Sequence, residues 1–460
     1  MRGTTTWSYH PYSPLLFDVG DIYICRLAPD ETAIRVEWLP IGSSTYTVFY
    51  RRRGDGDFAA FATVNTPCCD ITNLDPDTDY ELFVEANGKK SRIRIAKTGA
   101  SVGTVVNYLH PEDEAYAFSG RYLCSPSLVR HPDGFLLASM DLFEGEAPQN
   151  LTLIFRSDDD GKSWYYVSDL MPCFWGKLFV HRGALYMLAC STEYGDLLIG
   201  RSDDGGRTFG APSTLLRGCG GKAKSCGVHK NPQNLITHAG RLWGTLEWGS
   251  WGNKVYGHAA MMMSCDENAD LLDPTAWAFT PPLKFDHFTP ALADMPSNTM
   301  TIEGTPVVTP DGKVLDVMRF GMRGQVIAYE ASTTDPEAPL RFHALLPLDT
   351  TYSKFMIKKD PHTGLYFSLV SRLYEGCHDR ARNLLSLMYS KDLANWQVAC
   401  DVLDYRDKDA RAVGFQYVDF LMEGEDILFL SRTAINDAHN VHDANYSTFH
   451  RIKDFRRLVE

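Results

Sequence analysis

Two short stretches constrain this chain more than any other part of it: Ser157-Asp158-Asp159-Asp160-Gly161-Lys162-Ser163-Trp164 and Ser202-Asp203-Asp204-Gly205-Gly206-Arg207-Thr208-Phe209. Both read S-x-D-x-G-x-[S/T]-aromatic, and each follows an apolar run, Leu151–Phe155 in one case and Leu197–Gly200 in the other. The Ser and Asp side chains can bond turn amides, Gly accepts a positive φ, and the aromatic packs back beneath the turn. A single match would be an ordinary hairpin. Two matches about 45 residues apart, both at strand ends, predict a repeated strand–turn–strand unit.

The composition agrees with such a unit. Of 460 residues, 12% are aromatic, Gly and Pro are frequent, and long amphipathic runs are scarce, which predicts an all-β protein. From residue 119 onward a pattern of strand, tight turn and strand recurs six times, with turns at 131–134, 182–183, 239–240, 310–312, 361–364 and 423–424. Later turns are degenerate: Ser390-Lys391-Asp392 reaches Trp396 one residue short of the full pattern. The expectation is a six-bladed β-propeller over 119–460, or seven blades if 99–120 supplies another.

Before this region, residues 1–18 read as a polar, aromatic arm, 19–98 as a small β-sandwich, and 99–118 as a linker. Period-2 alternation is clear in Ala33–Trp38 and Tyr80–Ala86.

The net charge is −13 and the only basic block is Arg51-Arg52-Arg53, so neither nucleic acid nor an anionic membrane is an expected partner. No span of about 20 apolar residues and no apolar leader-like N-terminal segment is present, and the 11 cysteines lack paired CxxC spacing. These features lead to the expectation of a cytoplasmic protein, or a secreted one if a leader has been removed. No cofactor is expected.

In a propeller unit, the start of the first strand and the end of the second lie at one mouth. Three second strands end in arginine: Arg319, Arg372 and Arg432. Guanidinium groups converging there would bind a carboxylate bidentately. Asp141, Glu247 and Glu303 supply carboxylates at the same mouth, and Gln416 and Tyr417 open the sixth unit. His229 follows a Gly-containing approach to the third. His439 and His442 lie in the loop 436–445, where direct bonding to a sugar is expected from His442; no further metal ligand is evident, so no metal site is assigned.

The two turn motifs resemble the Asp-box of the sialidase-like β-propeller superfamily, and Leu74-Asp75-Pro76-Asp77-Thr78-Asp79-Tyr80 resembles the tyrosine corner of fibronectin type III domains. The first resemblance implies an exo-acting glycoside hydrolase on an acidic glycan. It implies that Arg319, Arg372 and Arg432 hold the substrate carboxylate, Tyr417 with Glu303 forms the nucleophile, and Asp141 is the acid/base. One departure matters: sialidases open the first blade with an arginine in F/Y-R-I-P, whereas this chain has Leu123-Cys124-Ser125-Pro126-Ser127. A uronic acid is therefore as good a substrate as a sialic acid. Two further readings stay open. One is a propeller polysaccharide lyase using His229, Tyr417 and Arg319 beside a uronate. The other is a non-catalytic glycan-binding propeller.

Overall fold

The structure, a computed structural model, describes residues 2–3, 7, 16–17, 20–218, 226–252, 257–296 and 299–459. Most of the N-terminal arm lies outside the described residues. Trp7 is described, and it is buried against Phe209, the aromatic of the second turn motif.

The fold is all-β; the only helical segments among the described residues are three 3-10 turns. Six antiparallel meander sheets follow one another from residue 122. Their first strands are Tyr122–Arg130, Phe174–His181, Gly227–His229 (continued by Ile236–His238), Thr301–Val308, Ile357–Lys359 and Gly414–Glu423. Apolar side chains between neighbouring sheets form successive core clusters, as in the Leu188–Leu246–Met261 group between the second and third. The ring closes where Leu128 of the first sheet donates its N–H to Asp419 of the sixth, at 2.7 Å. Residues 104–108 start no seventh sheet: Thr104–Tyr108 pairs with Tyr446–Ile452 and becomes the outermost strand of the sixth.

Both turn motifs close as their residues dictate. The Ser157 hydroxyl accepts the N–H of Gly161 (2.8 Å) and donates to Asp159, whose carboxylate accepts the N–H and hydroxyl of Ser163 (2.9 and 2.6 Å). Ser202, Asp204, Gly206 and Thr208 repeat this network. Gly161 sits at φ +86°, the left-handed conformation that glycine adopts at least cost. In the shortened third copy Leu393 takes that place at φ +67°, and Trp396 bonds back to its carbonyl.

Residues 24–97 form two facing sheets. One is Ile24–Pro29, Ile34–Trp38 and Cys68–Ile71; the other is built on Tyr46–Arg52, Ala59–Val64, Asp79–Ala86 and Arg94–Lys97. Tyr80, Leu82, Val84 and Ala86 point inward in strict alternation. The Tyr80 hydroxyl accepts the N–H of Asp75 at 2.9 Å and pins the connection that precedes its strand.

The segment 99–118 is more than a spacer. Val105, Val106, Tyr108 and Leu109 are buried, and two buried arginines tie the sandwich to this segment. Arg26 donates to the carbonyls of Val105 (2.9 Å) and Val106 (2.7 Å) while paired with Glu37 (2.7 Å). Arg94 pairs with Asp113 at 2.6 Å. Tyr23 and Tyr116 share a hydrogen bond of 2.7 Å between their hydroxyls.

Candidate active site

The first strands of four sheets share one irregularity. In each, the register slips by a bulge, and the residue at the slip is a non-glycine in the left-handed region: Ser125 (φ +48°), Trp175 (+52°), Glu303 (+59°) and Tyr417 (+54°). A side chain there costs backbone energy and persists only where its surroundings hold it. The bulge re-aims that side chain out of the sheet. In the fourth and sixth sheets it brings Glu303 and Tyr417 together.

The Tyr417 hydroxyl donates to Glu303 Oε1 at 2.8 Å. Arg319 Nε lies 2.6 Å from Glu303 Oε2, and Arg319 Nη2 donates to the Tyr417 oxygen at 3.2 Å, closing a triangle of three side chains. Glu303 and Tyr417 are only 5% and 8% exposed. Burial alone would raise the Glu303 carboxyl, but the Arg319 charge, His229 and the Tyr417 hydrogen bond outweigh it and hold the group below its ordinary value. Burial, then the Glu303 charge, raises Tyr417. The pair therefore rests as carboxylate and phenol, the states in which the carboxylate can take the phenolic proton.

Two more guanidinium groups stand over the Tyr417 ring: Arg432 at 5.1 Å from its centroid and Arg382 at 5.7 Å. Arg382 is 4% exposed. Its Nη2 and Arg319 Nη1 both donate to the Tyr352 carbonyl at 3.2 Å. Its Nε and Nη1, and Arg432 Nε, have no hydrogen-bond partner. Burial lowers Arg382 to about 10, still a cation at neutral pH.

Arg372 is not in this group. It donates through Nε to Ser386 (2.9 Å) and through Nη2 to both oxygens of Asp401 (2.8 and 2.9 Å), so it turns toward the third and fourth strands of its sheet. The third guanidinium comes instead from Arg382, ten residues later in the loop before Leu384–Ser390. That loop has no strand periodicity, and its sequence gives no signal for the role.

His229 and Glu247 form a second pair, 2.5 Å apart across the third sheet. Glu247 also accepts the N–H of Gly304 at 3.1 Å and so fixes the bulge that carries Glu303. Gly304 has no room for a side chain, since a Cβ would fall 1.8 Å from Asp316. The His229 ring lies against Trp175 (4.2 Å between centroids) and His258 (4.7 Å). Tyr194 joins these rings through a 3.0 Å bond to His258.

Asp141 has the same structural task as Glu247. It is fully buried, takes the Thr152 hydroxyl, and accepts the N–H of Gly176 at 3.3 Å, again the glycine after a bulge. Burial raises it to about 7. These bonds give Asp141 a structural task whatever its part in chemistry.

Gln416 donates to the Val441 carbonyl and anchors the loop 436–445. In that loop His442 bonds Asp443 (2.8 Å) and meets Arg432 at 3.3 Å, so it positions a guanidinium. Among the described residues, no group of three or more His, Cys, Asp or Glu could hold a metal ion, and no helix is long and apolar enough to cross a membrane.

This architecture is that of the propellers found in sialidases and arabinan-degrading enzymes. Three solved structures illustrate it. An α-L-arabinanase from Penicillium chrysogenum complexed with arabinobiose superposes with a TM-score of 0.50 at 16% identity, over 78% of this chain and 99% of that one. The sialidase of Trypanosoma rangeli gives 0.50 at 16% identity, over 74% of this chain and 56% of that one. A leech intramolecular trans-sialidase gives 0.50 at 10% identity, over 95% and 97%. At these identities the likeness is one of fold. No protein-family model and no curated protein matches the sequence.

Proposed function

We propose that the chain is an exo-acting glycoside hydrolase whose substrate carries a carboxylate, sialic or uronic. The observation that carries this reading is the Tyr417–Glu303–Arg319 triangle with Arg382 and Arg432 over the phenol. The unpartnered N–H groups of Arg382 and Arg432 are donors in search of an anion. Tyrosine is a weak nucleophile as a phenol, with an ordinary pKa of about 10, and Glu303 is placed to take its proton during attack. A neutral phenol also approaches an anionic sugar without the repulsion a carboxylate would meet. In the first step the Tyr417 oxygen bonds to the anomeric carbon, the glycosidic bond breaks, and the leaving oxygen takes a proton. Water then releases the sugar. We assign proton donation to His229, which Glu247 orients. The near-complete burial of Glu303 and Tyr417 favours a chain end over a mid-chain linkage.

The test is a panel of acidic oligosaccharides followed by mass spectrometry. Hydrolysis adds one water to the summed products, whereas elimination leaves the summed mass unchanged and gives an unsaturated uronate. Tyr417→Phe should abolish turnover and leave binding nearly intact. Normal turnover in Y417F, or no change in any substrate, would overturn the reading.

A further inference from the structure

Beside the Tyr417–Glu303 pair the propeller carries a second set of buried charges. Lys177 and Asp419 each lie two residues past a left-handed residue, in the second and sixth sheets, and they form an ion pair with each other. Lys358 Nζ lies 3.8 Å from the other Asp419 oxygen. Lys230 is buried and donates to the carbonyls of Trp175 (2.7 Å) and Asn231 (3.3 Å). Lys354 completes the group. It is 2% exposed, and its Nζ has no hydrogen-bond partner. The charges acting on it are those of Asp419, Lys177, Glu303 and Lys230.

Within this cluster three ammonium groups, those of Lys177, Lys354 and Lys358, share Asp419. A buried cation without a counter-charge is costly, and a buried donor without an acceptor adds to that cost. Burial accordingly lowers Lys354 to about 7, and Lys230 and Lys358 to about 8. Neutralisation is one way to relieve such a site; a bound anion is the other. Ammonium groups are point charges with rotatable donors, which suit a small spherical anion better than the fork of a guanidinium would. The enclosure of Lys354 keeps a sugar carboxylate away from it.

We propose that Lys354 binds a halide such as chloride in the propeller channel, at a site distinct from the arginine cluster. Occupancy would leave Lys354 protonated and stabilise the ring where the second, fifth and sixth sheets meet.

The test compares thermal unfolding of the full chain in chloride, bromide and gluconate at constant ionic strength. The wild type should show a saturating rise in Tm with either halide over gluconate. Lys354→Met should lose that difference. Crystals soaked in bromide should show an anomalous peak within hydrogen-bond reach of Lys354 Nζ. Equal Tm in halide and gluconate, an undiminished halide effect in K354M, or only water at Nζ in the bromide crystal would each overturn the proposal. Should K354M fail to fold, the wild-type bromide crystal decides the question alone.

Discussion

Replacing Asp141 with Asn separates a structural carboxyl from a catalytic one. The wild-type group is fully buried, bonded to Thr152 and Gly176, and raised by burial from its ordinary 3.8 to about 7. A folded-state pKa above the unfolded one means that the native state holds the proton more tightly. Between these two values the folded protein binds more protons than the unfolded chain, so stability falls as pH rises from about 4 to about 7 and then levels. A gap of this size amounts to roughly 4 kcal/mol as an upper figure, at 1.36 kcal/mol per pH unit. The buried lysines act in another window: lowered from 10.5 to about 7 or 8, they make stability rise with pH above that range. Asn keeps an acceptor for Thr152 and Gly176 and cannot ionise. Urea unfolding of D141N from pH 4.5 to 7.5 should therefore give a flatter profile than the wild type, with D141N gaining relative stability toward neutral pH. Its turnover should stay within about tenfold of wild type, well short of the 10²–10⁴-fold loss expected for a general acid. Parallel stability profiles together with a loss of that size would refute the bulge-anchoring role and restore Asp141 as the acid/base.

Two further outcomes follow from geometry. Arg382→Ala should weaken binding of an acidic substrate by about 1.5–3 kcal/mol, or roughly 10- to 150-fold in KM, because it removes charge-assisted donors. Arg372→Ala should leave KM near wild type, its guanidinium being committed to Asp401; equal effects in the two variants would sink the three-arginine assignment. At the junction of sandwich and propeller, Arg94→Met leaves Asp113 buried and unpaired and should cost about 3–5 kcal/mol in urea unfolding, with the R94M/D113L double variant recovering part of that loss. Strict additivity of the two single changes would show that the pair does not act as one unit.

Much of the fold is legible in the sequence because its signals are local. The S-x-D-x-G turns need a glycine at positive φ and a short acceptor at fixed spacing, and both appear in the letters. The repeat of the strand–turn–strand unit placed Glu303 and Tyr417 at the starts of first strands by the same logic. What stayed hidden depends on competition between side chains. Arg372 and Arg382 flank one loop, and only the nearness of Asp401 and Ser386 decides which of them leaves for the outer strands. Asp141 and Glu247 read as mouth carboxylates from their position. Their partners, the N–H groups of Gly176 and Gly304, belong to the following sheets, and no local pattern reveals that contact. The segment 99–118 looks like a polar linker, yet its strand pairs with residues more than 300 positions away.

The same bulge bears on how an acidic chain would present the anion site proposed above. A net charge of −13 says little about a point enclosed by protein, since screening confines exposed charges to about 8 Å at physiological ionic strength. What counts is the local set. Arg319, Arg382 and Arg432 bring three positive charges, and Glu303 returns one negative charge to the space around Tyr417. Each acid that sequence position alone would add to this space is withdrawn. Asp141 is enclosed and raised toward neutrality, and Glu247 is bound to His229 and Gly304. The glycine after the bulge makes this arrangement possible. Gly176 and Gly304 offer an N–H to a carboxylate of the preceding sheet, and that contact holds the left-handed residue in place. In the fourth sheet, where Glu303 is that left-handed residue, the strain of its backbone and the positive field of its surroundings rest on the same hydrogen bond from Gly304 to Glu247.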